Sequence, residues 1–484
     1  MAKTLKHIIK NTYAVLISGS LDTKISGISF DSRRTEKGDL FVAVKGTNSD
    51  GHLFIEKAVK NGAVAVLAEH TENIDYTVTI LQSQNTSKAL AHIASEFYDN
   101  PSEKIKLVGI IGTNGKTTTA TLLYHYFRNA GYKVGLISTV KNYINETEID
   151  ANYTTPDAVT FNKLLKQMTN AGCEYCFAEI SSHAIHQNRT AALQFTGGIF
   201  TNITHDHLDY HKTFAEYLKV KKKFFDNLPE SAFSLVNIDD KNGNVMLQNT
   251  KSEKHTYALK SFADFKGKIL ELHFDGTFMS INETELWTLL IGKFNAYNIT
   301  AVYASAVLLN QNPENVLRIL SNLKPVKGRF ETVKINNITA IIDYAHTPDA
   351  LDNVLKTINE IKKENQNLIT IAGAGGNRDK TKRPLMAKIA MAGSNKLILT
   401  SDNPRDENPE QIIKDMLDGI EKTDRKNVLK ITDRKEAIKV ASALAQQNDI
   451  ILIAGKGHED YQIIKGEKYH FDDKEIITEI LNDL

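Results

Sequence analysis

Two cysteines in 484 residues leave no disulfide framework to build, and a chain so poor in cysteine is expected in a reducing compartment, most simply the cytoplasm. The pair, Cys173 and Cys176, has CxxC spacing. It leads into the apolar run YCFAEI, and no further cysteine exists to complete a zinc site, so both thiols are expected to be buried and structural. Charge of one sign is lacking too: 59 Lys and Arg oppose 58 Asp and Glu, a formal net charge of +1. That removes any overall pull toward nucleic acid or anionic membrane, and phosphate must be met by local sites. No apolar run approaches the ~18 residues that would span a bilayer. The N-terminus, MAKTLKHIIKNTYAVLISGS, has no A-x-A-like cleavage site and reads as a first helix and strand, not a signal peptide. A monomer with no nucleic-acid partner and no membrane insertion is expected.

What is there is ordinary globular composition, 41% apolar and 24% charged, over a length that calls for about three domains. The expected divisions are 1–102, 103–324 and 325–484, set by the turn-like DNPSE at 99–103 and the linker-like NLKPVKGRFE from 322. The first region mixes short strands such as GDLFVAVKG and AVAVLAE with helices. The second opens with the strand KIKLVGIIG, a glycine-containing turn and a helix over roughly 116–130 that stops at Gly131. The third repeats a short apolar run followed by a polar loop four times, in ITAIIDYAHTP, LITIAGAGGNRD, KLILTSDNPRD and IILIAGKGHED. Separated by helical stretches, these runs predict a parallel, doubly wound sheet. Its four strand-end loops should line one crevice. The fold class is therefore α/β.

The sharpest local signal is GTNGKTTT, spanning Gly112, Thr113, Asn114, Gly115, Lys116, Thr117 and Thr118 between a strand and a helix. Backbone N–H groups of such a loop, with the helix N-terminus, form a cradle for phosphate. Lys116 would neutralise the β- and γ-phosphates and Thr117 would ligate Mg²⁺. The loop is the shorter GxxGKT rather than the usual P-loop pattern. A second cluster, THDHLDYH at 204–211, is dense enough in His and Asp to suggest metal. It nearly matches the THxHxDH run of metallo-β-lactamase-fold hydrolases, but Tyr210 stands where a ligating His is required.

In order along the chain, GTNGKTT, EISSH (179–183), NITHDHLDYH, GKFNAYN (292–298), KGRFE (327–331) and DYAHTPDAL (343–351) resemble the Mur ligases. The resemblance spans nearly the whole chain. It implies three domains: one for a UDP-sugar substrate, a central P-loop ATPase and a Rossmann-like C-terminal domain. It also implies ATP and Mg²⁺, and a carboxylate activated as an acyl phosphate that an amine then attacks. Such chemistry rests on positioning and charge neutralisation rather than a side-chain nucleophile. Folylpolyglutamate ligases share the second and third domains, but they generally lack an N-terminal domain with the DSR and GDLFVAVKG segments seen here.

By resemblance, Thr117 and Glu179 hold one Mg²⁺ and His207 a second, and Arg329 faces the transferred phosphate. Asn295, Asn298, Asp343 and His346 meet the nucleoside. Lys221, in YLKVKKKFF, falls where the family carries a lysine carboxylated on its side-chain nitrogen. A carbamate offers hard oxygens to Mg²⁺ where an ammonium cannot. Neighbouring Lys219, Lys222 and Lys223 are expected to favour the neutral amine that CO₂ attacks.

The matching positions for the expected UDP-N-acetylmuramoyl-L-Ala-D-Glu substrate are Ser32, Thr47, Asn48, Thr154, Thr155, Ser181, Gln187 and Arg189. Tyr153 and the run Thr47-Asn48-Ser49 depart from the family pattern. The expected second substrate is meso-diaminopimelate. Asp402, Asn403, Pro404 and Arg405 form a DNPR run in which Arg405 can grip a carboxylate bidentately. Arg378, Gly455 and Glu459 come from two other loops of the crevice. The resemblance sets a carboxylate against Arg378 and an ammonium against Glu459 and Asp402.

Overall fold

Among the described residues, short apolar strands alternating with amphipathic helices build three main α/β sheets in chain order, beside two two-stranded ones. The computed structural model describes residues 2–483 other than Asn48, Asn73, Asp75, Tyr76, Asn152, His205 and His207, with Leu208 and Asp209 described by backbone alone. Among these residues no helix is long and apolar enough to cross a membrane.

The first sheet orders Val15–Ser18, Thr79–Gln82, Ala65–Ala68, Asp39–Val42 and Gly27–Ser29. All pairs are parallel except that of the first strand. Its inner strands Asp39–Val42 and Ala65–Ala68 are buried at every position, and Thr79–Gln82 at all but Gln82, as expected where helices cover both faces. Leu40, Val42, Leu67 and Leu81 pack on one side against Leu90, Ile93 and Phe97 of helix Thr86–Phe97. Phe41, Val66 and Ile80 pack on the other against Ile55 and Ala58.

The central sheet has eleven strands among the described residues, with a parallel middle and antiparallel hairpins at both ends. Strand Lys106–Ile111 lies between Tyr175–Glu179 and Gly197–Phe200, parallel to both. Its side chains alternate faces: Val108 and Ile110 join one core, Leu107 and Ile111 the other. Helix Lys116–Asn129 packs Leu122, Leu123, Tyr126 and Phe127 onto the first face. The Phe127 ring centroid is 4.3 Å from Tyr175 and 5.1 Å from Phe177. Truncating so enclosed a ring costs about 3–5 kcal/mol. Cys173 and Cys176 are both buried free thiols, and burial pushes both up from the ordinary thiol value.

The last sheet orders Glu331–Ile335, Ile338–Asp343, Ile450–Ala454, Leu368–Ala372, Lys396–Leu399 and Val428–Lys430. Only the first pair is antiparallel. All four expected apolar runs are strands of this sheet and run the same way. Their following loops therefore emerge at one edge, the carboxyl ends where α/β sheets take ligands.

Candidate active site

Strand Lys106–Ile111 delivers the 112–116 loop to the start of helix Lys116–Asn129. Gly115 caps that helix at φ +86°, and a Cβ there would stand 2.6 Å from Asn298 Oδ1. Positive φ and this close approach both select glycine. Asn298 donates in turn to Asn295 Oδ1 at 3.2 Å, so both asparagines back the loop. Lys116 Nζ donates to the carbonyls of Gly112 (3.0 Å) and Thr113 (2.8 Å), and burial holds its ammonium below the usual lysine range. Thr113 Oγ1 lies 3.1 Å from the Tyr217 hydroxyl.

The adjacent strand ends in Glu179, whose side chain is fully buried. Its carboxylate accepts from Thr117 Oγ1 (2.9 Å), Thr139 N (2.7 Å) and Thr139 Oγ1 (3.1 Å). Lys221 reaches the same place from helix Phe214–Asp226. Its Nζ donates to Gly112 O at 2.7 Å and lies 4.5 Å from the Tyr217 ring centroid. Lys116 and Lys221 thus share the Gly112 carbonyl. The Lys221 ammonium is strongly disfavoured, first by burial and then by Lys116, against an opposing pull from Asp206. That corrects the cause expected from sequence: Lys219 and Lys223 are solvent-exposed, and Lys222 pairs with Asp226. His207 lies outside the described residues, as does Asn48.

The C-terminal unit sends two side chains across to this loop and the helix after it, Arg329 from before its first strand and Asp349 from helix Pro348–Ile361. Arg329 Nη2 donates to Thr117 Oγ1 at 3.3 Å, with its guanidinium 4.5 Å from the Tyr344 ring centroid. Its Nε is buried and has no hydrogen-bond partner among the described residues. Asp349 accepts from Asn114 Nδ2 at 2.7 Å and Thr204 Oγ1 at 3.2 Å. Asp343 accepts from the Phe330 amide at 2.7 Å, and burial, opposed by Arg329, pushes its carboxyl up to about 6. His346 Nδ1 donates to Tyr344 O at 2.9 Å, and burial, then Lys382, pushes this imidazole down to about 4. It is neutral at physiological pH.

Five of the expected substrate residues form one cluster beside Glu179. Thr155 Oγ1 donates to Glu179 O at 2.8 Å and lies 3.3 Å from Ser181 Oγ, and Thr154 Oγ1 accepts from Thr139 Oγ1 at 3.1 Å. Arg189 donates to Thr155 O at 2.8 Å and to Gln187 Oε1 at 2.6 Å. Exposed Tyr153 lies over the Arg189 guanidinium, 5.8 Å from ring centroid to Cζ. Ser32 is buried in the N-terminal unit and its carbonyl accepts from Asn61. Thr47 is exposed. Among the described residues no hydrogen bond joins Ser32 or Thr47 to the cluster.

The third group lies at the crevice of the last sheet. Arg405 adopts φ +53°, held by its N–H to Ile463 O (3.0 Å) and by Lys465 N to its carbonyl (2.8 Å). Its guanidinium donates to Gly376 O at 2.9 Å, and among the described residues no carboxylate pairs with it. Asp402 lies against Gly455, where φ is +118° and a Cβ would meet Asp402 Oδ2 at 2.5 Å. Asn403 Nδ2 donates to Glu459 Oε2 at 2.7 Å, so the DNPR and GKGHE loops are joined directly. Pro404 is buried and Arg378 exposed.

Three family models match consecutive parts of the chain: the Mur ligase family catalytic domain over 24–98, the Mur ligase middle domain over 110–306 and the Mur ligase glutamate ligase domain over 328–457. The chain is 54% identical over 483 residues to a protein of Cytophaga hutchinsonii named UDP-N-acetylmuramoyl-L-alanyl-D-glutamate–2,6-diaminopimelate ligase, covering 99% of each. A protein of the same name from Bacteroides fragilis is also 54% identical over 99% of each chain. The chain belongs to the Mur ligase family. A solved structure titled with the same enzyme name aligns over 100% of this Mur ligase and 99% of that chain, with a TM-score of 0.71 and 29% identity.

Several residues that shape the site in this Mur ligase were not singled out from sequence. Thr139 supplies two of the three hydrogen bonds to the Glu179 carboxylate. Asp349 joins the C-terminal unit to the 112–116 loop. Lys382 donates to His346 O at 2.9 Å, and Arg383, fully buried, pairs with Glu407 and Asp415 beneath the GGN loop. Asp349 lies inside the DYAHTPDAL run and Lys382 three residues past GGNRD, which is the one signal that pointed to them.

Proposed function

We propose that this chain is the ATP-dependent ligase that joins meso-2,6-diaminopimelate to the D-Glu side-chain carboxylate of UDP-N-acetylmuramoyl-L-Ala-D-Glu, a cytoplasmic step of peptidoglycan precursor synthesis. The observation that carries the reading is Arg405: an arginine held in a left-handed conformation, unpaired by any described carboxylate, beside Asp402 and joined through Asn403 to Glu459. Two relatives at 54% identity, both named as diaminopimelate ligases, support it. We assign 1–102 to the UDP-sugar, 103–324 to a P-loop ATPase and 325–484 to a Rossmann-like amino-acid domain. Each main sheet lies within one of these spans.

The D-Glu carboxylate attacks the γ-phosphorus of ATP; a carbon–oxygen–phosphorus link forms and ADP leaves. The amine then attacks the acyl carbon, phosphate leaves, and the nitrogen gives up a proton. Charge on the transferring group is met by Lys116 from the loop and by Arg329 from the last domain, both already within hydrogen-bond reach of loop atoms. The 154–155 and 181–189 cluster orients the dipeptide, and the 402–405 and 455–459 loops orient the amine.

Glu179 fits a divalent cation. It is a fully buried carboxylate, and among the described residues no ammonium or guanidinium lies at salt-bridge distance from it, which calls for a compensating positive charge. Thr117, Glu179, His207 and a carboxylated Lys221 would hold Mg²⁺. Bound there, Mg²⁺ supplies positive charge to the phosphate oxygens.

The test is phosphate release with ATP, UDP-N-acetylmuramoyl dipeptide and meso-diaminopimelate all present. Lys116→Ala should cut kcat by about 10²–10³ in a protein whose circular dichroism is unchanged. Full turnover by a well-folded Lys116→Ala would overturn the ATPase assignment.

A further inference from the structure

Lys456, in the loop after strand Ile450–Ala454, is fully enclosed, with 0% of its surface exposed. A buried ammonium is expensive, and an apolar side chain of similar volume is often better tolerated at such a place. Here its Nζ donates to Asn403 Oδ1 at 3.3 Å and to Glu459 Oε2 at 3.4 Å. Asn403 Oδ1 also accepts from the Ile463 amide at 2.9 Å, and Asn403 Nδ2 donates to the same Glu459 Oε2 at 2.7 Å. Both donors to Glu459 thus converge on one oxygen. Among the described residues, no hydrogen bond engages Glu459 Oε1.

We propose that Lys456 is a positioning and specificity-determining residue of the amino-acid subsite: its ammonium grips Glu459 by Oε2, so that Oε1 is turned toward the ammonium of the incoming amino acid. The assignment rests on the reading that the 402–405 and 455–459 loops hold the second substrate. Two carboxylates serve one ammonium in this subsite, and the charge of Asp402 opposes ionisation of Glu459. Burial and then Asp402 push the Glu459 carboxyl up, while Lys456 and Asn403 pull it down. Without a resident cation, the Glu459 carboxyl would be pushed up further, and the subsite would lose charge that an α-ammonium group needs. The loop also loses its second tie to Asn403, which leaves the direct Asn403–Glu459 bond as the connection through Ile463 to hairpin Tyr461–Ile464 and Glu467–His470.

The experiment uses the full-length enzyme with Lys456→Met, Lys456→Gln, Glu459→Gln and the Lys456→Met/Glu459→Gln pair. Steady-state constants are measured for each of the three substrates, beside thermal melting. Lys456→Met should raise KM for meso-diaminopimelate about 30-fold or more, with kcat within about 3-fold and KM for ATP and the UDP-sugar dipeptide unchanged. Lys456→Gln, which keeps a donor but not the charge, should fall close to Lys456→Met. In Glu459→Gln the further change Lys456→Met should cost little, because its partner's charge is already gone. A folded Lys456→Met with diaminopimelate KM near wild type overturns the assignment, as does a uniform fall in every constant together with a lower melting temperature. A wild-type enzyme inert with diaminopimelate overturns the functional reading and this assignment with it; a wild-type enzyme that uses diaminopimelate beside an unaffected Lys456→Met overturns the assignment alone.

Discussion

Diaminopimelate and L-lysine differ by one terminal carboxylate, so selectivity between them measures what a cation in the crevice is worth. Arg405 has one guanidinium nitrogen on Gly376 O at 2.9 Å, which leaves donors for a bidentate carboxylate. Charge-assisted hydrogen bonds are worth about 1.5–3 kcal/mol each, or roughly 3–6 for a pair. Two features lower that figure. Arg405 is only partly buried, so water serves an unpaired guanidinium, and the Gly376 bond persists in either case. About 2–4 kcal/mol should remain, a preference of roughly 30- to 1,000-fold in kcat/KM for meso-diaminopimelate over L-lysine.

The choice of variant matters because Arg405 sits at φ +53°. Alanine there carries about 1 kcal/mol or more of backbone strain, whereas asparagine enters this region readily. Arg405→Asn therefore removes the guanidinium with the loop kept in shape. It should lower kcat/KM for diaminopimelate by most of the factor above and leave L-lysine nearly unchanged, so that the two rates approach each other. Arg405→Lys keeps a charge but not the fork and should recover only part of the preference. Competition assays with both amino acids, resolved by mass of the product, read the ratio directly. A wild-type ratio below about 10, or a ratio untouched by Arg405→Asn, would refute the reasoning.

Burial and Lys116 depress the Lys221 ammonium in the folded state, so between its folded value and the ordinary ~10.4 the unfolded chain binds more protons and stability rises with pH. Lys221→Met, in CO₂-free buffer, should therefore melt higher than wild type, by a margin that grows as pH falls from about 10 toward neutrality, while ligation is lost; a variant no more stable than wild type at pH 7 contradicts this. Lys221→Ala should regain part of its activity with added short-chain carboxylates, and no regain speaks against a carbamate. Arg434 and Asp473 are both fully buried, with bonds of 2.8 Å from Nε and from Nη2. Asp473→Ala should cost about 3–5 kcal/mol, whereas replacing both by apolar residues of matching volume should be close to neutral. Amide exchange in Ile450–Ala454 measures both, and equal effects of the single and double changes would exclude a desolvated ion pair.

Much of this architecture was legible because the hydrophobic period states it outright. ITAIID, LITIA, KLIL and IILIA are nearly continuous apolar runs, as strands covered on both faces use. The helix after the GTNGKTTT loop announced its end at Gly131, where φ is +94°. Less legible was what holds each functional group in place. Thr139 reads as one more threonine between two strands, and Asp349 as an acidic residue in a first helical turn; only the fold shows that one faces Glu179 and the other Asn114. The cause of the downward pull on the Lys221 ammonium was misread for the same reason. Sequence neighbours on a helix diverge at 100° per residue, so Lys219, Lys222 and Lys223 point elsewhere, whereas Lys116, 105 positions away, shares an acceptor with Lys221.

Backbone conformation was the least readable layer of all. Phe330, Asn377 and Arg405 have φ values of +49°, +54° and +53°, and each lies in a loop at the crevice: KGRFE, GGNRD and DNPR. Asparagine is mildly suggestive of such a conformation, but phenylalanine and arginine are not. A strained residue persists only where its surroundings over-determine it, and here they do. Phe330 N is fixed on Asp343, Asn377 N on Glu407, and Arg405 by both of its backbone groups. In each case the neighbour that holds the strain comes from a different part of the chain, 13, 30 and about 60 residues away. The strain re-aims side chains that a relaxed loop would point elsewhere, Arg329 beside Phe330 toward Thr117 and Arg405 toward Gly376. Motifs in this chain therefore mark the candidate groups, while distant residues whose identity carries no such label hold the backbone around them.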